Sequence, residues 1–217
     1  MCADVRKIIL DSVAQGAVSI DYYCSPFSDA DRFSEILGEQ VKAIDIKSPE
    51  VVPMLREKYD LVFSIHCKQI FPKALVEQIR CINLHPGYNP INKGWYPQVF
   101  AIIKDLPLGA TLHEMSETLD AGPIIDRKLV PLHHWDNSKS AYDKVVAAEL
   151  EIFRDNIRPI LQGEYETFVG DETPQLHMLR DFKALQQLDL DKQVSYRQVI
   201  DHLRALTHPL QQRLLSG

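Results

Sequence analysis

Apolar residues repeat at two different spacings along the first two thirds of this chain, and the alternation of those spacings predicts its elements. Val5, Ile8, Ile9 and Val13 recur at helical spacing, which predicts a helix over residues 3–15 with Gly16 near its C-cap. Ile20–Cys24 reads as a strand, and residues 29–37 as a helix with Ser28 at its N-cap. Val41–Ile46 is a short strand. Ser48 and Pro49 then open another helix, because Ser suits the N-cap and Pro the first turn. The run Leu61-Val62-Phe63-Ser64-Ile65 is continuously apolar but for one hydroxyl, as expected of a strand buried on both faces of a parallel sheet. A helix over 72–79 and a strand over 81–84 follow. Strand and helix alternate at βαβ spacing, so the fold class is α/β with a mostly parallel sheet flanked by helices. The chain opens on a helix rather than a strand, so the first strand of a doubly wound unit is missing from this pattern.

Beyond residue 84 the texture changes. Residues 86–95 are polar and rich in Pro and Gly, the composition of a functional loop. Residues 97–104 read as a helix, Ala110–Met115 and Ile124–Pro131 as strands, and Leu119–Pro123 as a tight turn between them. Ser140–Leu161 is a long amphipathic helix with Val145, Leu150, Phe153, Ile157 and Leu161 near one face. Residues 165–169 and 175–179 are expected to pair as a hairpin around Gly170-Asp171, followed by a helix over 196–206. This divides the chain into a main unit, residues 1–162, and a C-terminal appendage, residues 163–217.

Composition narrows the classes of function. With 217 residues, 45% hydrophobic and 25% charged, the chain can bury one good core. A formal net charge of -6 disfavours a nucleic-acid partner, which needs clustered Lys and Arg. No apolar run approaches membrane-span length, so no membrane insertion is expected. The four cysteines, Cys2, Cys24, Cys67 and Cys81, form no C-x-x-C pair and are too few for a disulfide scaffold. A reducing, cytoplasmic compartment and no metal site follow from that usage.

Cys81-Ile82-Asn83-Leu84-His85-Pro86-Gly87 carries the chemistry. Asn83 and His85 stand two apart on a strand and so share a face. Pro86 and Gly87 end the strand, which puts both at its carboxyl end, where open α/β sheets hold ligands. An amide donor beside an imidazole base is the equipment of acyl transfer. Asp120 stands in the Leu119–Pro123 turn. It can orient His85, stabilise its charged form, or hold a water that relays protons. His113 reads as a strand-face residue, His66 as a neighbour of the site, and His133 and His134 lack metal-ligand spacing.

Asn83-x-His85-Pro86-Gly87, Gly109-x-Thr111 and Asp120-x-Gly122-Pro123-Ile124-Ile125 together resemble the formyltransferase domain. Phe63 to Pro72 and Gly94-Trp95-Tyr96-Pro97-Gln98 resemble its nucleotide-sugar branch. The resemblance implies a Rossmann-like fold, with N10-formyltetrahydrofolate as formyl donor and the amine of a dTDP-linked dideoxyamino sugar as acceptor, for O-antigen and lipopolysaccharide synthesis. It implies Asn83, His85 and Asp120 as catalytic residues. Folate would be held by Lys68, Gln69, Ile70 and Phe71 on one loop and by Met115, Ser116 and Glu117 on another, unless Ile70 and Phe71 are simply core. Lys68 or Lys93 would meet the diphosphate, and Trp95 or Tyr96 would pack on the sugar or base, with plain loop packing the alternative for Trp95. A homodimer is implied by analogy with relatives. The competing readings are a glycinamide ribonucleotide-type formyltransferase and a truncated, non-catalytic folate- or nucleotide-binding remnant.

Overall fold

The computed structural model describes residues 1–13 and 18–207. The expected C-cap at Gly16 lies outside those residues. The first element is a helix, α1 (Cys2–Ser12), followed by β1 (Tyr22–Cys24), α2 (Ala30–Leu37), β2 (Val41–Ala43), α3 (Val51–Lys58), β3 (Leu61–Ile65), α4 (Lys73–Val76) and β4 (Arg80–His85). Then come β5 (Lys93–Gly94), α5 (Pro97–Lys104), β6 (Leu108–Glu114), β7 (Ile124–Val130), α6 (Ser138–Gln162), β8 (Leu176–His177), α7 (Leu179–Leu185) and α8 (Tyr196–Ala205).

The α/β class holds. β1 pairs with β2 in a small parallel sheet, and β3–β4–β6–β7 form the main sheet. That sheet is parallel at β3–β4 and antiparallel at β4–β6 and β6–β7. The reversal comes after His85, where the chain leaves the βαβ rhythm. Ends move by up to three residues; the strand expected over Val41–Ile46 stops at Ala43 and the helix expected over 72–79 spans only Lys73–Val76. Asp29, not Ser28, caps α2, its carboxylate accepting from Arg32 N at 2.9 Å. Ser48 and Pro49 sit in a turn closed by Val51 N on Ser48 O, so α3 begins later than expected.

The expected hairpin of 165–169 with 175–179 does not form. Phe168 bridges Ile124 of β7 instead, and β8 pairs in parallel with β5, Gly94 opposite His177. Both segments find longer-range partners than the Gly170-Asp171 turn would give them. The C-terminal segment therefore laces across the main unit. Phe182 of α7 is fully buried in the main core, its ring tilted against that of Tyr96 with centroids 4.2 Å apart.

The core forms in two parts. The larger lies between the main sheet and α6, where Ala141, Val145, Ile152, Phe153 and Ile157 meet Ile82, Leu84, Ala110 and Leu112. Phe63 and Phe153 meet edge to face at 5.2 Å. Truncating a fully buried Phe such as Phe153 to Ala costs about 3–5 kcal/mol. The smaller part groups Val51, Leu55, Phe71, Leu75, Ile79 and Cys81. Ile82 and Leu84 thus face α6, while Cys81, Asn83 and His85 face the other way.

Candidate active site

The register of the main sheet builds the site. Ser64 of β3 stands opposite Asn83 of β4, and Asn83 stands opposite His113 of β6. One residue row therefore carries a hydroxyl, an amide and an imidazole on one face. The next row sets His85 opposite Thr111. Thr111 Oγ1 donates to Gly87 O at 2.7 Å and accepts from Asn89 N at 3.0 Å, which clamps the loop after β4 onto β6.

Asp120 enters from the turn between β6 and β7. Its φ of 48° is in the left-handed region, which Asp tolerates better than most residues. The turn is held there because Gly122 passes against the Glu114 carbonyl with no room for a side chain: a Cβ at Gly122 would lie 1.8 Å from Glu114 O. Asp120 Oδ1 accepts from Asn83 Nδ2 at 3.3 Å, and Oδ2 accepts from Gly94 N at 3.0 Å. Oδ2 also lies 3.7 Å from His85 Nδ1, and Oδ1 lies 3.8 Å from His113 Nε2. The Asp120 carbonyl accepts from Asn89 Nδ2 at 3.1 Å. His85 is 5% exposed, with Nε2 3.5 Å from Asn92 O. Asn83, His85 and Asp120, far apart in sequence, thus converge on one point.

A pocket opens beside that point. Its walls include Ser64, Asn83, His113 and Asp120, together with Gln69, Ile70 and Phe71 from one loop and Met115, Ser116 and Glu117 from another. Six of the seven residues expected to hold folate line it. Lys68 does not; it is exposed beside the pocket. Phe71 is a core residue, but Ile70 is 54% exposed at the rim, so packing does not account for it. Lys93 is buried rather than reaching into solvent. Trp95 is half-buried, with its N–H bonded to His177 O at 2.8 Å. Tyr96 puts its ring against Phe182, which commits that face to packing.

Two histidines gain partners that local sequence does not reveal. His113 is 1% exposed, and burial lowers its pKa to about 4. Its Nε2 lies 3.3 Å from Asn83 Nδ2 and its Nδ1 lies 2.6 Å from Glu114 O. His66, at the tip of β3, meets the fully buried Glu149 of α6 at 2.8 Å and Tyr142 at 3.2 Å. Burial raises the Glu149 carboxyl above its usual range. Only the strand register brings His113 to Asn83, which explains why spacing alone missed it. Among the described residues, no group of three or more His, Cys, Asp or Glu is placed to hold a metal ion. No helix among them is long and apolar enough to cross a membrane.

Residues 36–157, more than half of the chain, match the Formyl transferase family. This chain belongs to the formyl transferase family. It is an enzyme of the transferase class, and within the family it groups with the sugar N-formyltransferases. The Mycobacterium tuberculosis dTDP-4-amino-4,6-dideoxyglucose formyltransferase is 37% identical over 201 residues, spanning 93% of this chain and 86% of that protein. A 4-N formyltransferase from Francisella tularensis is 41% identical, with a TM-score of 0.88 over 96% of this chain and 84% of that one. The N-formyltransferase of Helicobacter canadensis, solved with folinic acid and dTDP-3-aminofucose, shares the fold at 20% identity, with a TM-score of 0.69 over 94% of this chain and 76% of that one. Residues 181–212 match the N-formyltransferase dimerization C-terminal domain.

Proposed function

We propose that this chain transfers the formyl group of N10-formyltetrahydrofolate to the amine of a dTDP-linked dideoxyamino sugar. The observation that carries the reading is the meeting of Asn83, His85 and Asp120 beside a pocket walled by the two loops at 69–71 and 115–117. In this reading the pterin sits in that pocket and presents its formyl carbon to the triad.

The neutral amine attacks the formyl carbon, and the carbonyl electron pair moves onto oxygen. His85 takes the proton that the amine nitrogen sheds. Asn83 donates an amide N–H to the new oxyanion, an interaction worth roughly 3 kcal/mol in a dry site. Collapse reforms the carbonyl and breaks the bond to N10 of the folate, which receives the proton back from His85. Asp120, 3.7 Å from His85 Nδ1, stabilises the imidazolium between the two transfers. Of Lys68 and Lys93, the exposed Lys68 is assigned to the diphosphate, since Lys93 is buried, and Trp95 is assigned to the sugar or base.

We assign residues 1–162 to catalysis and residues 163–217 to assembly of a homodimer. The match over 181–212 supports the second part, as does the exposed apolar face of α8, with Val199, Ile200 and Leu203 each more than 40% exposed. A cytoplasmic place in O-antigen and lipopolysaccharide synthesis completes the reading. The test is incubation with N10-formyltetrahydrofolate and a panel of dTDP-amino sugars, read by mass spectrometry. One sugar should gain a single formyl group, and His85→Ala should lower the rate by at least 100-fold. No gain on any sugar, or full turnover by His85→Ala, overturns the reading.

A further inference from the structure

We propose that His113 is a positioning residue for formyl transfer, one that fixes which end of the Asn83 amide faces the reacting carbonyl. This rests on the reading above and assigns a residue the three-part mechanism does not use.

Hydrogen-bond logic sets the tautomer. His113 Nδ1 is 2.6 Å from the Glu114 carbonyl oxygen, which can only accept, so Nδ1 carries the proton. A deeply buried imidazole with its pKa near 4 is neutral at pH 7. Nε2 is then a bare lone pair, and it faces Asn83 Nδ2 at 3.3 Å. On the same side, Asp120 Oδ1 also faces that nitrogen at 3.3 Å. Two acceptors select the NH2 end of the amide. Turned over, Asn83 Oδ1 would meet a lone pair and a carboxylate oxygen together, with no donor between them.

The same triangle explains how Asn83 remains a donor to the oxyanion. Nδ2 lies 3.3 Å from both acceptors, which are themselves 3.8 Å apart. An amide NH2 spreads its hydrogens by about 120°, wider than the angle those distances subtend. One N–H can serve both acceptors, which frees the second for the pocket that Asn83 lines. Removing His113 leaves Asp120 alone to hold the amide, and the aim loosens.

A double-mutant cycle tests this. His113→Leu should lower kcat at least 10-fold with KM for the folate nearly unchanged, and His113→Gln, whose side-chain oxygen can accept the same N–H, should recover part of the loss. In an Asn83→Ala background the His113→Leu change should cost less than twofold. Equal losses in the two backgrounds, or a loss confined to KM, would overturn the proposal. Nitrogen-15 NMR of histidine-labelled protein supplies a readout free of turnover. Nδ1–H with bare Nε2 at neutral pH supports the assignment, and a protonated Nε2 sinks it. Absence of turnover in the unaltered protein would instead count against formyl transfer itself.

Discussion

Gly87→Ala adds one methyl group beside His85, and the structure says how far the imidazole must move. A Cβ on Gly87 would stand 2.4 Å from His85 Nε2 and 2.3 Å from Asn92 O. Its φ lies outside the left-handed region, so alanine meets no backbone strain there and the effect is steric. Ordinary contact begins near 3.4 Å, so both His85 and the Asn92 carbonyl must retreat by about 1 Å from the methyl group. Asn92 is the less able to give way. Its N–H is bonded to Tyr88 O at 3.1 Å and its Nδ2 to Pro97 O at 2.8 Å. The imidazole is therefore displaced from its place beside Asp120. A misplacement of about 1 Å at a reacting group costs roughly 100-fold, or about 2.7 kcal/mol of barrier. The assay is kcat/KM for formyl transfer alongside the melting temperature. The expected result is a drop of about two orders of magnitude in a protein that still melts cooperatively. Turnover within twofold of the parent would refute both the pinch at Gly87 and the role given to His85.

Two further outcomes reach beyond the pocket. His177 is buried, stacked on Phe100 at 3.9 Å and 3.0 Å from Lys104 Nζ. Burial first, and the Lys104 charge second, hold its pKa at about 4, below the usual 6.5. The unfolded chain therefore takes up a proton that the fold refuses, and stability falls as pH drops from about 6.5 toward 4. His177→Phe should remove roughly 3 kcal/mol of that fall, seen as a flatter urea midpoint against pH; an unchanged slope counts against it. On α8, Ile200→Glu should convert the proposed homodimer to monomer in sedimentation without lowering the melting temperature. A persistent dimer would move the interface elsewhere.

Local pattern reached the site by two routes and missed it by a third. Asn83 and His85 are legible because strand period alone puts i and i+2 on one face. Asp120 is legible only through its motif, since alone it reads as an ordinary turn residue before Gly122. His113 is not legible, since its neighbours depend on the register of β6 against β4, and register is a long-range choice. The same limit accounts for the hairpin. Gly170-Asp171 is a sound turn signal, but Phe168 and Leu176 belong to ladders with Ile124 and Lys93, far back in the chain. Short helix α7 went unseen because only Phe182 of its seven residues is fully buried, too little to show a period.

Asp120 binds through three of its atoms at once. One carboxylate oxygen takes the Asn83 amide, the other takes the Gly94 N–H, and its carbonyl takes the Asn89 side chain. It is a joint among three segments as well as a charge beside His85. The kinetics of Asp120 variants therefore compound two quantities. Asp120→Ala drops both side-chain links and the charge but keeps the carbonyl link to Asn89, whereas Asp120→Asn drops the charge and one of the two acceptor oxygens. The ratio of those two rates measures what one retained acceptor oxygen contributes as architecture.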